Sequence, residues 1–250
     1  ISPQQFREIH EEFGVGRGEQ FEVVPLGIDL GPFSASNEAR SSFRNDFGAQ
    51  DNEIFVGFVG RLTEIKNISL LLRVAAIHAQ NREDNMPKMR FFIVGDGHLR
   101  QQLERESEEF DLGDSVVFLG NRNDTERIYP GLDVVALTSF NEGTPLSLIE
   151  AMACRRPVIS TSVGGVPDLL GEKKAEMSDF AVFERGIGVD SNNAEGFYNG
   201  LIYLSKDEKL RISLGELGRS FVESEYAKDR LVNDMKDLYR RLRPNDRAPQ

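Results

Sequence analysis

Between residues 54 and 161, five short apolar runs alternate with segments of helical period, and this alternation restricts the fold more than any other feature of the chain. The runs are "IFVGFVG" (54–60), "MRFFIVGDG" (89–97), "SVVFLG" (115–120), "LDVVALTS" (132–139) and "RPVIST" (156–161). They are apolar continuously rather than at every second position, so each strand must be covered on both faces. Between them lie helices predicted over "NISLLLRVAAIHAQNRE" (67–83) and "HLRQQLERESEEF" (98–110), a short one after Asp124, and one opened by Pro145. Strands joined through helices are parallel and cross over right-handedly, which predicts an α/β, Rossmann-like parallel sheet with helices on both faces. "GEKKAEMSDFAVFERG" (171–186) reads as a polar excursion followed by a short strand, and Gly196 to Arg243 reads as almost wholly helical. Residues 1–243 are expected to form one domain and 244–250 a disordered tail.

The 250 residues suffice for one large α/β domain with a real core. A net charge of −11 argues against a nucleic-acid-binding surface. No apolar run approaches membrane-spanning length, and the start lacks the pattern of a signal peptide. The single cysteine, Cys154, falls in an apolar helix, excludes a disulfide within the chain and fits a reducing, cytoplasmic compartment. Because the first residue is Ile1 rather than Met, the chain is expected to be a fragment of a longer protein.

In open parallel sheets ligands bind beyond the carboxyl ends of the strands, near the point where strand order reverses. The residues there are Gly60-Arg61, Gly95-Asp96-Gly97, Gly120-Asn121-Arg122, Ser139 to Thr144 and Thr161 to Gly165. Their glycines suit close backbone approach by a ligand. Arg61 and Lys66, in "GRLTEIKN", place a planar fork and a point charge at one strand end, where two cations can clamp a diphosphate. Either alone would read as an ordinary surface charge. In "EGTPLS", Thr144 is expected as N-cap and Pro145 as the first helical residue, leaving the amides of Leu146 and Ser147 free at the positive end of the helix dipole. Glu150 falls on the apolar stripe that Leu146, Ile149 and Ala153 define in the same helix. A carboxylate there is costly unless hydrogen-bonded. Behind a phosphate-binding tip it could accept from ribose hydroxyls.

Other motifs are absent or weak. "VGDGHLR" supplies only two glycines of a dinucleotide fingerprint, and no P-loop or nucleophile elbow occurs. His10, His78 and His98 are scattered, and no D-x-D pair is present to carry a metal-bound sugar diphosphate.

From about Val24 to Arg243 the chain resembles the carboxyl-terminal, donor-binding domain of GT-B retaining glycosyltransferases of family 4. The resemblance rests on the ordered set "VPLGID" (24–29), "VGRLTEIKN" (59–67), "IVGDG" (93–97), "FLG" (118–120), "EGTPLSLIEAMA" (142–153), "PVIST" (157–161) and "GGVPDLL" (164–170). Two glutamates with seven residues between them, Glu142 and Glu150, are that family's signature. The resemblance implies that Arg61 and Lys66 neutralise the donor diphosphate and that Glu142 contacts hydroxyls of the transferred sugar beside the amides of Gly143 to Leu146. It further implies that Glu150 binds the ribose, that the backbone of Asn121 and Arg122 meets the base, and that no bound metal is required. Gly60, Gly95, Gly97, Gly143, Thr144, Leu146 and Ser147 complete the expected donor site, with Arg61, Lys66 and Glu142 as the catalytic set.

The sequence departs from the family pattern at three places: Thr144-Pro145 stand where an aromatic and a second glycine are usual, Arg155-Arg156 where a glycine ends the helix, and Asp168 where glutamate is commoner. The implied partners are a nucleotide-sugar donor, with uridine as base, and an amino-terminal acceptor domain outside this chain, through which any peripheral membrane attachment would run. A sugar-nucleotide epimerase of the same architecture and a non-catalytic sugar-nucleotide-binding module are the alternatives.

Overall fold

The computed structural model describes residues 6–33, 35–81 and 86–242. The expected tail at 244–250 lies outside them. Five strands follow the apolar runs: β1 (Ile54–Val59), β2 (Met89–Val94), β3 (Val116–Gly120), β4 (Val134–Leu137) and β5 (Val158–Thr161). With β6 (Lys173–Glu176), β7 (Ala181–Phe183) and β8 (Gly186–Val189) they form one eight-stranded sheet in the order β3-β2-β1-β4-β5-β8-β7-β6. The first five and β8 run parallel, while β7 and β6 pair antiparallel at one edge. The expected parallel sheet is therefore present, extended by an antiparallel hairpin.

That hairpin corrects the reading of 171–186 as a polar excursion with one strand. β6, "KKAE", is exposed along its whole length and offers no apolar face from which to infer a strand. Main-chain pairing to β7 holds it, and β7 in turn buries Ala181 and Val182 against the core.

The helices are α1 (Asn37–Asp46), α2 (Ile68–Asn81), α3 (Arg100–Glu109), α4 (Thr125–Ile128), α5 (Leu146–Ala153), α6 (Val166–Leu170), α7 (Ala194–Lys206), α8 (Glu208–Glu225) and α9 (Lys228–Leu242). The helix expected over 67–83 ends, among described residues, at Asn81. His78, within it, is buried and accepts the Met89 N–H at Nε2, 3.2 Å away. Two local features fix the surroundings of the sheet. One is α1, a polar helix capped by Ser36, whose Oγ accepts the Ala39 N–H at 3.1 Å. It is fixed by Asp133, a buried carboxylate at the start of β4 that binds Arg40 at 2.5 Å, Arg44 at 2.8 Å and the Phe55 N–H at 2.8 Å. A buried charge so surrounded is fully hydrogen-bonded. Beside it Phe92 packs edge to face against Phe43 and Phe47 and tilted against Phe55, with the Phe55 and Phe92 centroids 4.6 Å apart.

The other is the end of α5. The chain reverses with Arg155 in the left-handed region (φ 55°), the Arg156 N–H donating to Ala151 O at 2.9 Å and the Arg155 N–H to Met152 O at 2.9 Å. This is the Schellman pattern usually given to glycine. Here an arginine adopts it.

Candidate functional site

Strand order reverses between β1 and β4, because β1 leads outward to β2 and β3 while β4 leads the opposite way to β5 and β8. The crevice at that reversal is where an open α/β sheet binds its ligand. The loops leaving these two strands are stitched together. The Phe140 N–H donates to Ile65 O at 2.8 Å, and Thr138 Oγ1 donates to Lys66 O at 2.9 Å. One strand further, Thr161 Oγ1 donates to Ser139 O at 2.6 Å.

These bonds bring Lys66 and Glu142 together across the crevice. Lys66 Nζ donates to Glu142 Oε1 at 2.6 Å, and Ser139 Oγ donates to the same oxygen at 2.5 Å. The Glu142 side chain is 9% exposed and that of Lys66 21%. The other carboxylate oxygen of Glu142 has no protein partner among the described residues and is not sealed from solvent. Arg61, five residues before Lys66, is exposed, and its side chain makes no hydrogen bond or ion pair among the described residues. One cation of the predicted pair is therefore engaged and the other free.

Glu142 leads into α5, whose N-cap is Pro145 rather than Thr144, with Leu146 as the first helical residue. Pro145 takes φ −73° and ψ 108°, an extended conformation, and no side chain caps this end. The backbone carbonyl of Pro145 accepts from Leu148 at 3.2 Å and Ile149 at 3.3 Å. The amides of Leu146 and Ser147 remain without an intrahelical acceptor, as expected, one residue nearer the tip than the sequence placed the cap. Against this turn rests the loop after β5. A Cβ on Gly164 would stand 1.8 Å from Glu142 O and one on Gly165 2.0 Å from Gly143 O, so only glycine lets the two loops meet.

Glu150 lies a turn inside α5 and is partly buried. Its Oε2 accepts the hydroxyl of Tyr129 at 2.8 Å. Burial pushes the Glu150 carboxyl above its ordinary value, and the Tyr129 hydrogen bond opposes that rise. Tyr129, itself fully buried beside this carboxylate, is held well above the ordinary phenol value, chiefly by burial. Cys154, also in the core, has its thiol pushed up to about 12 by burial.

On the β2 and β3 side of the crevice, Gly60, Arg61, Gly95, Asn121 and Arg122 line one cleft of about 410 Å³ together with Val59, Val94, Asp96 and Thr125. The Arg122 guanidinium is occupied as a fork by Asp124, with both contacts at 2.7 Å. Gly95 and Gly97 also meet a need within the chain. A Cβ on Gly95 (φ 135°) would meet Gly60 O at 1.9 Å, and one on Gly97 would meet Leu62 O at 2.3 Å. The close approach they permit is by the chain's own backbone, and Gly97 is not among the cleft-lining residues.

The structure thus gathers Lys66, Glu142 and the tip of α5 at the sheet's reversal, and Gly60, Arg61, Gly95, Asn121 and Arg122 in the adjoining cleft. Ser139 and Tyr129, the hydroxyls that hold the two glutamates, received no role from the sequence. A signal existed for Tyr129: a tyrosine in an apolar stretch needs a hydrogen-bond partner, and so does a carboxylate on an apolar stripe. Among the described residues no three or more His, Cys, Asp or Glu side chains come together to hold a metal.

An open α/β sheet with its crevice at the reversal of strand order defines the class, a Rossmann-like ligand-binding domain. Residues 39–221 match the family described as glycosyl transferases group 1, and the chain belongs to that family. It is 29% identical over 232 residues to the D-inositol 3-phosphate glycosyltransferase of Corynebacterium jeikeium (strain K411), covering 89% of this chain and 52% of that protein. It is 28% identical over 218 residues to the Escherichia coli UDP-Gal:alpha-D-GlcNAc-diphosphoundecaprenol alpha-1,3-galactosyltransferase, covering 87% and 53%. The chain spans about half the length of the curated relatives it matches. Among solved structures, Anabaena Alr3699/HepE in complex with UDP and glucose superposes with a TM-score of 0.76 at 22% identity, over 92% of this chain and 60% of that one. Sucrose-phosphate synthase of Thermosynechococcus elongatus gives a TM-score of 0.80 at 26% identity, over 97% and 57%. The GT-B-type architecture expected from the sequence is the one observed.

Proposed function

We propose that this chain is the donor-binding domain of a retaining glycosyltransferase that moves a sugar from a nucleoside diphosphate, with uridine as base, to a hydroxyl acceptor. The observation that carries the reading is the Lys66–Glu142 pair bridging the sheet's reversal point, beside the open tip of α5 and the free Arg61. In this reading the diphosphate lies between Arg61, Lys66 and the Leu146 and Ser147 amides. There, fixed positive charge stabilises the leaving group as negative charge builds on it in the transition state. Glu142, through its free oxygen, takes hydroxyls of the sugar. Glu150 takes the ribose, and the Asn121–Arg122 backbone in the 410 Å³ cleft takes the base. The chemistry uses no metal, and the acceptor site is supplied by an amino-terminal domain. Uridine is supported by two similar proteins, one named for UDP-Gal and one solved with UDP. A cytoplasmic setting agrees with the single buried thiol. Among the described residues no helix is long and apolar enough to cross a membrane.

Calorimetric titration of UDP tests the assignment. A charge-assisted hydrogen bond contributes about 1.5–3 kcal/mol, so Arg61→Ala and Lys66→Ala should each weaken UDP roughly tenfold or more. Unchanged affinity in the double variant would remove both residues from the diphosphate site.

A further inference from the structure

The structure holds Glu150 in an unusual way. A fully buried tyrosine hydroxyl grips one carboxylate oxygen, Oε2, at 2.8 Å. The other, Oε1, has no protein partner among the described residues and is not sealed from solvent. The tyrosine cannot swing. It begins a tight turn, Tyr129–Gly131, closed by the Leu132 N–H donating to Tyr129 O at 3.1 Å. Pro130 fixes the next φ, and a Cβ on Gly131 would stand 2.3 Å from the Phe43 ring. The Tyr129 ring rests against Phe33 at a centroid distance of 6.1 Å. A carboxylate on a helix samples several rotamers unless a partner selects one, and here the partner is itself immobile.

We infer that Tyr129 is a positioning residue that fixes Glu150 in the single orientation from which Oε1 receives a nucleotide's ribose hydroxyl, and so sets the preference for ribose over deoxyribose. This rests on the ribose role proposed for Glu150. The hydroxyl has a second effect. It is the opposing influence on a carboxyl that burial pushes upward, so removing it should let the carboxyl take a proton at higher pH. Among the described residues no other titratable group opposes the rise of this carboxyl. Cys154, with its thiol at about 12, stays neutral, and Arg156, Arg219 and Glu126 act on Cys154 rather than on Glu150.

The test is calorimetry of UDP and 2′-deoxy-UDP on the wild-type chain, Tyr129→Phe, Glu150→Gln and the double variant. Wild type should favour UDP by at least about tenfold, and Tyr129→Phe by less than about threefold. In the Glu150→Gln background, Tyr129→Phe should change the ratio no further. The acid-side loss of UDP affinity should move to higher pH in Tyr129→Phe alone. A ratio of two ligands on one preparation is insensitive to the fraction folded. Glu150→Asp, which keeps the charge but withdraws it from Tyr129, gives a second route and should also lose the preference.

If wild type binds both nucleotides equally, the ribose role of Glu150 fails and this inference falls with it. If wild type discriminates while Tyr129→Phe and Glu150→Asp discriminate equally well, the ribose role stands and the positioning role of Tyr129 is overturned.

Discussion

Replacing Glu142 by glutamine should tighten the binding of UDP, although Glu142 belongs to the proposed donor site. Lys66 Nζ is held 2.6 Å from Glu142 Oε1, with the two side chains 21% and 9% exposed. A diphosphate entering beside Lys66 must therefore compete with a carboxylate already in contact, and it also meets that carboxylate's negative charge. Glutamine keeps the size and can still accept from Ser139, but it releases the charge. A charge-assisted hydrogen bond has a net worth of about 1.5–3 kcal/mol. Part of that returns when Lys66 is hydrated or bonds to the glutamine oxygen, leaving a gain of about 1–2 kcal/mol, or roughly five- to thirtyfold in Kd. UDP carries no sugar, so nothing is lost at the position proposed for Glu142. A UDP-sugar, by contrast, should lose whatever extra affinity its sugar confers. Calorimetry at low ionic strength, about 50 mM, limits screening of the effect. The reasoning is refuted if Glu142→Gln leaves UDP affinity unchanged or weakens it while the variant melts at the wild-type temperature.

Two further outcomes follow from the geometry. Glu150 has a folded-state carboxyl raised above its ordinary 4.5, so it takes up protons more readily folded than unfolded. Its contribution to stability is complete below that value and is lost as pH rises through the folded one. Melts of Glu150→Gln and wild type should accordingly diverge in the variant's favour as pH rises above 4.5, and parallel curves would contradict the upward shift. Gly95→Ala should destabilise the fold by about 3 kcal/mol or more in urea, since its methyl would lie 1.9 Å from Gly60 O at a φ of 135°. A loss under about 1 kcal/mol would show that the β1 and β2 loops can separate.

The parts of this chain legible in the sequence are those in which each residue speaks for itself. The five apolar runs could only be buried parallel strands, and each observed strand falls within its run. Arg61 and Lys66 drew attention as two cations at one strand end, Glu150 as a carboxylate on an apolar stripe, and Glu142 through the family resemblance. What stayed hidden depends on partners distant in sequence. α1 is polar and is held by Asp133, about ninety residues away. Ser139 and Tyr129 act only through a glutamate that the fold brings to them. The N-cap of α5 moved by one residue because Pro145 can either cap a helix from an extended conformation or begin one, and nothing local decides between them. The hairpin was hidden for the reverse reason, since β6 has no buried face at all.

That exposed strand has a consequence for how the molecule behaves among its own copies. A parallel sheet ending in β8 would present a row of unpaired amides and carbonyls on a strand buried along its length, a template for recruiting strands from neighbouring chains. The β7–β6 hairpin moves the boundary outward to a four-residue strand carrying Lys173, Lys174 and Glu176. Its register slips between Lys173 and Ala175, and its charges pair within the hairpin, Lys173 with Glu176 at 2.5 Å and Lys174 with Glu172 at 2.7 Å. An incoming strand would have to follow an irregular edge and desolvate those ions for little apolar gain. The segment whose sequence shows the least order thus shields the aggregation-prone margin of the sheet.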